Sequence, residues 1–434
     1  MRRILIALLL LIAQSAHAQI GIPNLHLPVS LPTQLPGERL LSAPGAQSDL
    51  RQLESVRRER VRDLLRRNRT TLESDPNGEA IVRDELLLYG PSDSEVETAL
   101  RSGFTVARIE TLEGLGVRIV ILHAPHTTPT ARALALLRSV LPKVTIDFDH
   151  IYLESGDAAA SEPVSAGSAG PDAPLGRDAG GKIGLIDGGI DMAHPAFKDA
   201  VIRTHGCEEH VIPDAHGTAV ASLMIGRAGA FHGARPGMAL FAADVYCASP
   251  TGGSLARVLE ALAWLARERV PAINVSLVGP PNATLERAIQ DVLEHGHLVV
   301  AAVGNDGPSA PPLYPASYPG VIGVTAVDSR RHVLLEAARG RQVMFAALGA
   351  DIAAAKSPAG FQLVRGTSFA APLVACLLAA QVAEPDEDAV DRAVAALKSS
   401  AIDLGTPGPD PVYGFGLVGA DLGPAPALAS ARAR

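Results

Sequence analysis

The stretch that decides the fold is a serine-containing octapeptide, Arg365-Gly366-Thr367-Ser368-Phe369-Ala370-Ala371-Pro372, which opens an apolar run ending at Leu378. The apolar residues recur at helical spacing, so the stretch predicts a tight turn that leads into a buried helix. Pro372 is tolerated in the first turn of such a helix, where it removes no intrahelical hydrogen bond. Ser368 would lie at the helix N-terminus, where free N–H groups and the positive end of the helix dipole can face an anion. Taken alone, a Gly-Thr-Ser sequence before a helix is most often only an N-cap.

Two upstream segments supply candidate partners for this serine. Residues 182–191 form a short apolar run that reaches Asp187 and two glycines, which predicts a buried parallel strand with a carboxylate at its C-terminal end. Residues 216–222 open a second apolar helix with His216. A nucleophilic serine needs a base that takes its proton, and that base needs an acid that fixes its tautomer. Asp187, His216 and Ser368 are therefore a candidate catalytic triad.

With these segments in place, the chain from about Gly180 to about Ala425 resembles the subtilisin-like serine proteases, in which the triad residues follow in the same order. Four further segments match that family in the right order and at similar separations: 273–277, 299–307, 314–316 and 413–418. The resemblance implies an α/β fold, with a subtilisin-like catalytic domain over 181–426 whose mostly parallel sheet is flanked by helices. One departure is Gly188, which stands where the family usually has serine or threonine.

The resemblance also implies chemical roles for the candidate site. Ser368 is expected to be the nucleophile, His216 the general base, and Asp187 the acid that orients the imidazole. Asn305 matches the family's side-chain donor to the oxyanion, and the Ser368 backbone N–H would be the second donor. The alternative for Asn305 is an ordinary turn residue, since Gly-Asn-Asp-Gly is favourable turn chemistry.

The family binds extended substrates along backbone edges, and the resemblance assigns three segments of this chain to them. The matching residues are Gly252, Gly253 and Ser254; Ser276, Leu277, Val278 and Gly279; and Ala302, Val303 and Gly304. The last two segments would wall the first specificity pocket. Val278 replaces a usual glycine and Val303 adds bulk, so we expect a narrow pocket that prefers small residues before the cleaved bond.

The first 78 residues divide into two parts. Residues 1–18 contain two arginines, a short apolar run and an Ala-x-Ala ending, which is typical of a secretory signal peptide. Residues 19–78 comprise a Pro-rich lead-in and a basic amphipathic helix over 49–69. Such a helix can bind a membrane surface, although we favour a solvated helix of a pro-segment. No segment is long and apolar enough to span a bilayer, so we expect a secreted or periplasmic protein.

Residues 79–154 alternate between strand and helix patterns in the order β-α-β-β-α-β, which predicts a ferredoxin-like α+β unit. The predicted strands cover 85–89, 104–109, 117–123 and 144–152. In the resembling family a unit of this type precedes the catalytic domain as folding chaperone and inhibitor, which implies a pro-domain. A separate substrate-binding module is the alternative. Residues 155–180 are rich in Ala, Gly, Ser and Pro, and we expect a flexible linker that is also a processing site.

Composition narrows the classes of partner and cofactor. The 434 residues are 47% hydrophobic and 19% charged, as in a globular protein of more than one unit. The formal net charge of −8 argues against a general nucleic-acid binder. The histidines His205, His210 and His216 lack acidic or thiolate partners at zinc-like spacing, so no metal site is predicted. Residues 225–232 lack the asparagine-rich calcium loop found in many family members, so no cofactor is expected, calcium included.

The resemblance further implies a disulfide. Cys207 would follow the second strand of the catalytic sheet and Cys247 the third, and in the family these strands are parallel neighbours. An exported protein can oxidise two thiols that emerge at the same sheet edge. Cys376, on the helix after Ser368, is expected to be a buried free thiol.

The sequence thus predicts an exported serine endopeptidase that is made as a self-inhibited precursor. Its expected partners are protein or peptide substrates and its own N-terminal unit. The rival hypothesis is a catalytically silent pseudoprotease that acts as a binding protein, with Gly188 as its only sequence support. An esterase is disfavoured because the Gly-x-Ser-x-Gly elbow and the order Ser, Asp, His are both absent.

Overall fold

The computed structural model describes residues 46–155, 163–164, 180–207 and 212–422. Several sequence predictions therefore concern residues outside the described ranges. These are the signal peptide 1–18, the lead-in up to residue 45, most of the linker 155–180, His210, and the last residues of the predicted catalytic domain, 423–426.

The N-terminal unit consists of a long helix followed by an antiparallel sheet with two helices. Its elements are α1 (Ala46–Arg67), β1 (Leu72–Ser74), β2 (Ala80–Tyr89), α2 (Asp93–Arg101), β3 (Thr105–Leu112), β4 (Val117–His123), α3 (Thr130–Val140) and β5 (Thr145–Glu154). The main strands lie in the order β5-β2-β4-β3, and every neighbouring pair is antiparallel. The chain order β-α-β-β-α-β is that of a ferredoxin-like unit.

The two faces of this sheet follow the alternation of apolar side chains along its strands. One face packs against α2 and α3 through residues such as Leu86, Leu88, Val120, Leu122 and Leu137. The other face belongs to the core of the catalytic domain through residues such as Leu87, Tyr89, Ile119 and Ile121. The sheet therefore lies between its own helices and the catalytic domain, although most residues of its edge strand β3 are exposed.

A parallel sheet forms the centre of the catalytic domain. Its strands are β7 (Lys182–Asp187), β8 (Ile202–His205), β11 (Ala239–Asp244), β13 (Ala272–Val275), β15 (Leu298–Ala302), β16 (Ile322–Val327) and β17 (Val343–Leu348). They lie in the order β17-β16-β15-β13-β7-β11-β8, and each neighbouring pair is parallel. Their continuous apolar runs suit strands that are covered on both faces. The predicted α/β fold with a mostly parallel sheet is confirmed.

Helices cover both faces of the parallel sheet. They are α4 (Ala215–Ile225), α5 (Leu255–Arg267), α6 (Ala283–Glu294), α7 (Thr367–Ala379) and α8 (Glu387–Ser400). Residues of α4, α7 and α8 share one buried cluster with one face of the sheet. Residues of α5 and α6 share a second cluster with the other face, and the N-terminal sheet packs onto the same cluster. The remaining short strands are β6 (Pro163–Val164), β9 (Arg227–Ala228), β10 (Phe231–His232), β12 (Gly253–Ser254), β14 (Leu277–Val278), β18 (Ala350–Ala355) and β19 (Phe361–Arg365).

Strand β5 connects the two units. Within the N-terminal sheet it pairs with β2, and its C-terminal half also pairs antiparallel with β12 and β14 of the catalytic domain. Gly253 lies opposite Tyr152, and Leu277 lies opposite Glu154. The last strand of the N-terminal unit therefore extends directly into the catalytic domain.

The three cysteines form one disulfide and leave one free thiol. Cys207 and Cys247 are joined by a disulfide, with Cα atoms 5.1 Å apart, and Cys376 is a buried free thiol. Within the described residues, Asp244, Cys207 and Cys247 have possible metal-ligand atoms that lie close together. Both cysteines are bonded in the disulfide. In the same part of the chain, none of the helices combines the length and hydrophobicity needed to cross a bilayer.

Candidate active site

The three candidate triad residues meet at one edge of the parallel sheet. Asp187 ends β7, His216 lies in the first turn of α4, and Ser368 lies in the first turn of α7. His216 Nδ1 is 2.9 Å from Asp187 Oδ1, and His216 Nε2 is 2.9 Å from Ser368 Oγ. All three side chains are buried. The hydrogen-bond chain from carboxylate to imidazole to hydroxyl is the arrangement that activates a serine nucleophile.

Backbone geometry holds the Asp187 carboxylate. The Gly188 N–H donates to Asp187 Oδ1 at 2.7 Å. A Cβ atom on Gly188 would lie 2.7 Å from both Cβ and Cγ of Asp214, so a larger residue does not fit there. Asp214 is needed in that position, because its Oδ1 caps α4 by accepting from the N–H groups of His216 and Gly217. Glycine at position 188 is thus compatible with the position from which Asp214 caps the histidine helix, whereas a larger residue is not.

This packing yields a stability prediction. In an inactive Ser368→Ala background, we expect Gly188→Ser to lower the free energy of unfolding by about 1–3 kcal/mol, because the new side chain collides with Asp214. Urea denaturation measures the change. Gly180→Ser is a matched control, since a Cβ on Gly180 meets nothing within 4 Å. If both variants were equally stable, Asp214 would be able to move aside without cost.

The buried position of His216 changes its proton affinity. Burial opposes the charged imidazolium, but the carboxylates of Asp187, Glu154 and Asp214 favour it, and the pKa of His216 is raised to about 9. Glu154 is the last residue of β5, and burial raises its own pKa to about 7. The charged imidazolium is therefore stabilised while β5 occupies its present position.

Asn305 lies in the loop after β15, and its side-chain amide is oriented by one hydrogen bond at its oxygen and one at its nitrogen. Its Oδ1 accepts from the Thr367 N–H at 3.0 Å, which fixes which end of the amide carries the NH₂ group. Its Nδ2 donates to the backbone carbonyl of Ser155 at 2.9 Å. A side-chain amide that donates to a carbonyl beside a serine nucleophile has the geometry of an oxyanion-hole donor.

Ser155 follows β5 and lies deep in the same cleft. Its N–H donates to the Ser276 carbonyl at 3.2 Å, which continues the pairing of β5 with β14. Its hydroxyl lies 3.2 Å from Thr367 Oγ1 and 3.2 Å from Asn305 Nδ2, and the residue is only 2% exposed. Strand β5 thus occupies the cleft as an extended peptide, with Ser155 at the triad.

The structure brings most of the predicted substrate-binding residues to this peptide. Seven of them flank β5 or Ser155: Gly252, Gly253, Ser254, Ser276, Leu277, Val278 and Gly279. Gly304 donates its N–H to Thr367 Oγ1 instead. Ala302 and Val303 are fully buried, and Val303 lies against Gly323 of the neighbouring strand. That Val303 walls the first specificity pocket therefore stays a prediction.

The sequence prediction of a processing site in the linker does not identify Ser155 as the residue in the cleft, or Thr367 as its hydroxyl partner. Ser155 belongs to a stretch of small residues without periodicity, and Thr367 belongs to the turn predicted before the helix. The one available signal was the position of Ser155 directly after a predicted strand, since a strand can continue into an extended peptide.

The parallel sheet, the order Asp, His, Ser and the amide donor together define a serine protease fold of the subtilisin type. A family model described as "Subtilase family" matches residues 178–416. The chain belongs to the subtilase family, and its resemblance to the subtilisin-like proteases is confirmed.

Individual relatives agree with this assignment. The chain is 30% identical to subtilisin from Bacillus pumilus over 45% of its length and 74% of that protein. It is 29% identical to subtilisin DY from Bacillus licheniformis over 55% of its length and 88% of that protein. It is 29% identical to the minor extracellular protease Epr of Bacillus subtilis over 55% of its length, but the match spans only 37% of Epr.

A solved structure covers more of the chain. Fervidolysin from Fervidobacterium pennivorans, a keratinolytic enzyme related to subtilisin, superposes with a TM-score of 0.63 over 80% of this chain and 62% of its own. Because the two chains are only 20% identical, this likeness supports the fold alone.

Proposed function

We propose that the protein is an exported serine endopeptidase that hydrolyses peptide bonds through Asp187, His216 and Ser368 and is made as a self-inhibited precursor. One observation carries the proposal. The Ser155 carbonyl accepts a hydrogen bond from Asn305 at 2.9 Å, beside a serine whose Oγ lies 2.9 Å from the His216 ring. The site therefore combines a peptide carbonyl, a side-chain amide that donates to it, and a serine hydroxyl that is hydrogen-bonded to a histidine.

The chemistry follows from these positions. Ser368 Oγ attacks the carbonyl carbon while its proton passes to His216 Nε2, and Asp187 stabilises the imidazolium. Asn305 Nδ2 and the Ser368 N–H stabilise the oxyanion of the tetrahedral intermediate. The C–N bond then breaks as His216 donates its proton to the leaving amine, which leaves an acyl-enzyme. Water loses a proton to His216, attacks the ester and regenerates Ser368.

The position of β5 supports the precursor hypothesis. If Ser155 is the residue before the cleaved bond, the chain cuts itself between Ser155 and Gly156. The N-terminal unit would then remain in the cleft as a product-like inhibitor. Two capping contacts support tight binding, since Asp149 accepts from the Ala256 N–H near the start of α5 and Asp147 accepts from the Ala283 N–H at the start of α6.

Helix α1 adds a further contact between the units. Val61 is 4% exposed and packs with Leu72 and Ile151, the latter from the part of β5 inside the cleft. Arg57 forms a two-pronged ion pair with Glu79 and lies 3.4 Å from Asp306, the neighbour of the oxyanion donor. This packing favours the interpretation of α1 as part of the inhibitory unit rather than as a membrane-binding helix.

Export rests on the sequence of residues 1–18 and on the extracellular relative named above. The hydrogen bond from the Gly188 N–H to the Asp187 carboxylate supports a working triad over the pseudoprotease alternative. Labelling with a serine-directed fluorophosphonate tests the proposal, with Ser368→Ala as control. Labelling of the wild type alone is expected, whereas absent or equal labelling of both chains would favour a silent fold.

The Ser155 site yields a specificity prediction. Because the residue before the proposed cleavage is a small, buried serine, we expect Ala, Ser or Val at that position of substrates to be preferred over Phe or Tyr by about tenfold or more. A peptide-library profile measures this preference, and Val278→Gly should broaden it. A wild-type profile dominated by large aromatic residues at this position would show that the pocket is not narrow.

The charge of Glu154 yields a pH prediction. Self-cleavage requires neutral His216, so its rate should rise with pH toward the histidine pKa of about 9. Removing the Glu154 carboxylate destabilises the imidazolium and lowers that pKa, so Glu154→Gln should move the profile to lower pH by about half a unit or more. The difference in self-cleavage rate between the wild type and Glu154→Gln should grow above pH 7, because the Glu154 carboxyl, with a pKa of about 7, is ionised there.

Processing rates measured by gel between pH 6 and 9 test this shift. Glu113→Gln is the matched control, because Glu113 is exposed and pairs with Arg267 away from the triad. Superimposable profiles for all three chains would mean that Glu154 does not influence the histidine.

A further inference from the structure

Helix α7 lacks one backbone donor beside the nucleophile. The helix begins at Thr367, so Pro372 is its sixth residue and lies beyond its first turn. In an α-helix the carbonyl of residue 368 accepts from the N–H of residue 372, and proline has no N–H. The prediction that Pro372 removes no intrahelical hydrogen bond is therefore wrong. The bond that it removes is the one to the carbonyl of Ser368 itself.

A side chain from the substrate-binding edge supplies a donor in its place. Ser276 lies between β13 and β14 and is fully buried, and its hydroxyl donates to the Ser368 carbonyl at 3.1 Å. A buried carbonyl that loses its donor is costly, and the ring of a proline four residues later crowds the same carbonyl. The Ser276 hydroxyl thus replaces, from another element, the hydrogen bond that Pro372 removes.

The direction of this hydrogen bond is set by Asn274 on β13. Asn274 Nδ2 lies 2.8 Å from Ser276 Oγ, and an amide nitrogen can only donate. The Ser276 oxygen therefore accepts this bond, which leaves its own hydrogen for the Ser368 carbonyl. Asn274 is also fully buried, and its Oδ1 has no hydrogen-bond partner among the residues that the structure describes. A buried amide with an unsatisfied oxygen indicates that the position depends on the bond made by its nitrogen.

Ser276 also connects the nucleophile to the bound peptide. Its backbone carbonyl accepts from the Ser155 N–H at 3.2 Å, while its hydroxyl donates to Ser368. The residue before the proposed cleavage and the main chain of the nucleophile are thus attached to the same residue. Rotation of the Ser368 peptide would move both Oγ and the N–H that is expected to bind the oxyanion, and small displacements of reacting groups slow catalysis strongly.

We propose that Ser276 is a positioning residue, which holds the main chain of Ser368 in place of the hydrogen bond that Pro372 removes and is oriented in turn by Asn274. The inference rests on the proposed endopeptidase activity and concerns the same site. Removal of the hydroxyl lowers the reactivity of Ser368 but keeps peptide binding, because the peptide contacts the Ser276 backbone. An N–H restored at position 372 makes the hydroxyl dispensable.

A double-mutant cycle of Ser276→Ala and Pro372→Ala tests the proposal. The assay is hydrolysis of a fluorogenic peptide that matches residues 152–157 by the self-processed full-length protein. The serine-directed fluorophosphonate titrates active sites, so that kcat refers only to folded, competent molecules. With Pro372 present, we expect Ser276→Ala to lower kcat by about tenfold and to change KM by less than about twofold. With alanine at position 372, we expect it to lower kcat by no more than about twofold.

Ser222→Ala is the matched control. Ser222 is also a fully buried serine, and its hydroxyl donates to a helix carbonyl, that of Ala219 in α4, at 2.7 Å. Because this bond is not made to the helix of the nucleophile, Ser222→Ala should keep kcat within about twofold of the wild type, whatever its stability. Equal losses of kcat for Ser276→Ala with proline and with alanine at position 372, or no loss with either, would overturn the proposal.

Ser276→Cys keeps the test decisive if Ser276→Ala yields no active sites that can be titrated. A thiol is close in shape to a hydroxyl but is a weak donor. We therefore expect kcat to fall by about threefold or more with Pro372 and to recover with alanine at that position. A loss that persists beside alanine, or no loss beside proline, would overturn the positioning role.

Labelling separates failure of this inference from failure of the proposed function. If the wild type is labelled and cleaves the peptide but the cycle shows no coupling, only the positioning role of Ser276 is overturned. If neither the wild type nor any variant is labelled or cleaves the peptide, the proposed function is overturned, and this inference with it.

Discussion

Replacing Ser368 with alanine is expected to lower kcat by about 10⁶-fold, a magnitude taken from subtilisin itself. The variant keeps the cleft and the oxyanion donors but has no atom that can form the acyl-enzyme. Ser368 lies in the first turn of α7 and is fully buried. Alanine is smaller than serine, so the substitution creates no collision there. Hydrolysis of a peptide that matches residues 152–157, followed by fluorescence, measures the loss.

Asn305→Ala is the informative companion variant. Losing one oxyanion donor should lower kcat by only about 10²–10³-fold, again the subtilisin magnitude. Asn305 also accepts from the Thr367 N–H, so thermal unfolding should accompany the kinetic measurement. Equal losses for both variants, with unfolding temperatures unchanged, would contradict an oxyanion role for Asn305.

The second large effect concerns the intact chain. The Ser368→Ala protein, purified alone, should remain uncut, whereas the wild type should yield a fragment that begins at Gly156. The reason is geometric, since Ser155 has its N–H on the Ser276 carbonyl and its own carbonyl on Asn305, as a bound substrate would. N-terminal sequencing and intact-mass measurement give the result.

The matched control adds a trace of active wild-type enzyme to the Ser368→Ala chain. Cleavage at the same bond only in that mixture would show that the variant is a competent substrate. If the variant alone carried the same new N-terminus, another protease would be responsible for the cut.

The sequence was sufficient for the fold of each unit because both depend on short-range patterns. Apolar runs that end in Asp187 and before Asn305 predicted strands of a parallel sheet, and β-α-β-β-α-β alternation predicted the N-terminal unit. Boundaries were less accurate where a pattern is broken. Strand β2 begins at Ala80 rather than Glu85, because Asp84 has a positive φ and interrupts the alternation with a bulge.

What the sequence could not supply are contacts made between distant segments. Strand β5 was predicted to end at Tyr152 but continues to Glu154, because its last residues pair with β14 about 120 residues later. Helix α1 was interpreted as solvated, yet Val61 is buried against Ile151. In the same way, periodicity gives no sign that the face of Tyr152 lies on Gly279.

That β5 is a strand of two units at once has an evolutionary consequence. The four residues that fill the cleft are encoded in the same chain as the cleft that receives them. Under the precursor hypothesis, a substitution that alters the cleft's preference also weakens its own inhibitor, so the two segments must change together. We therefore expect natural or selected variants with a bulkier residue at 279 to carry a smaller one at 152, and N-terminal units exchanged between relatives to fail unless residues 152–155 are exchanged with them.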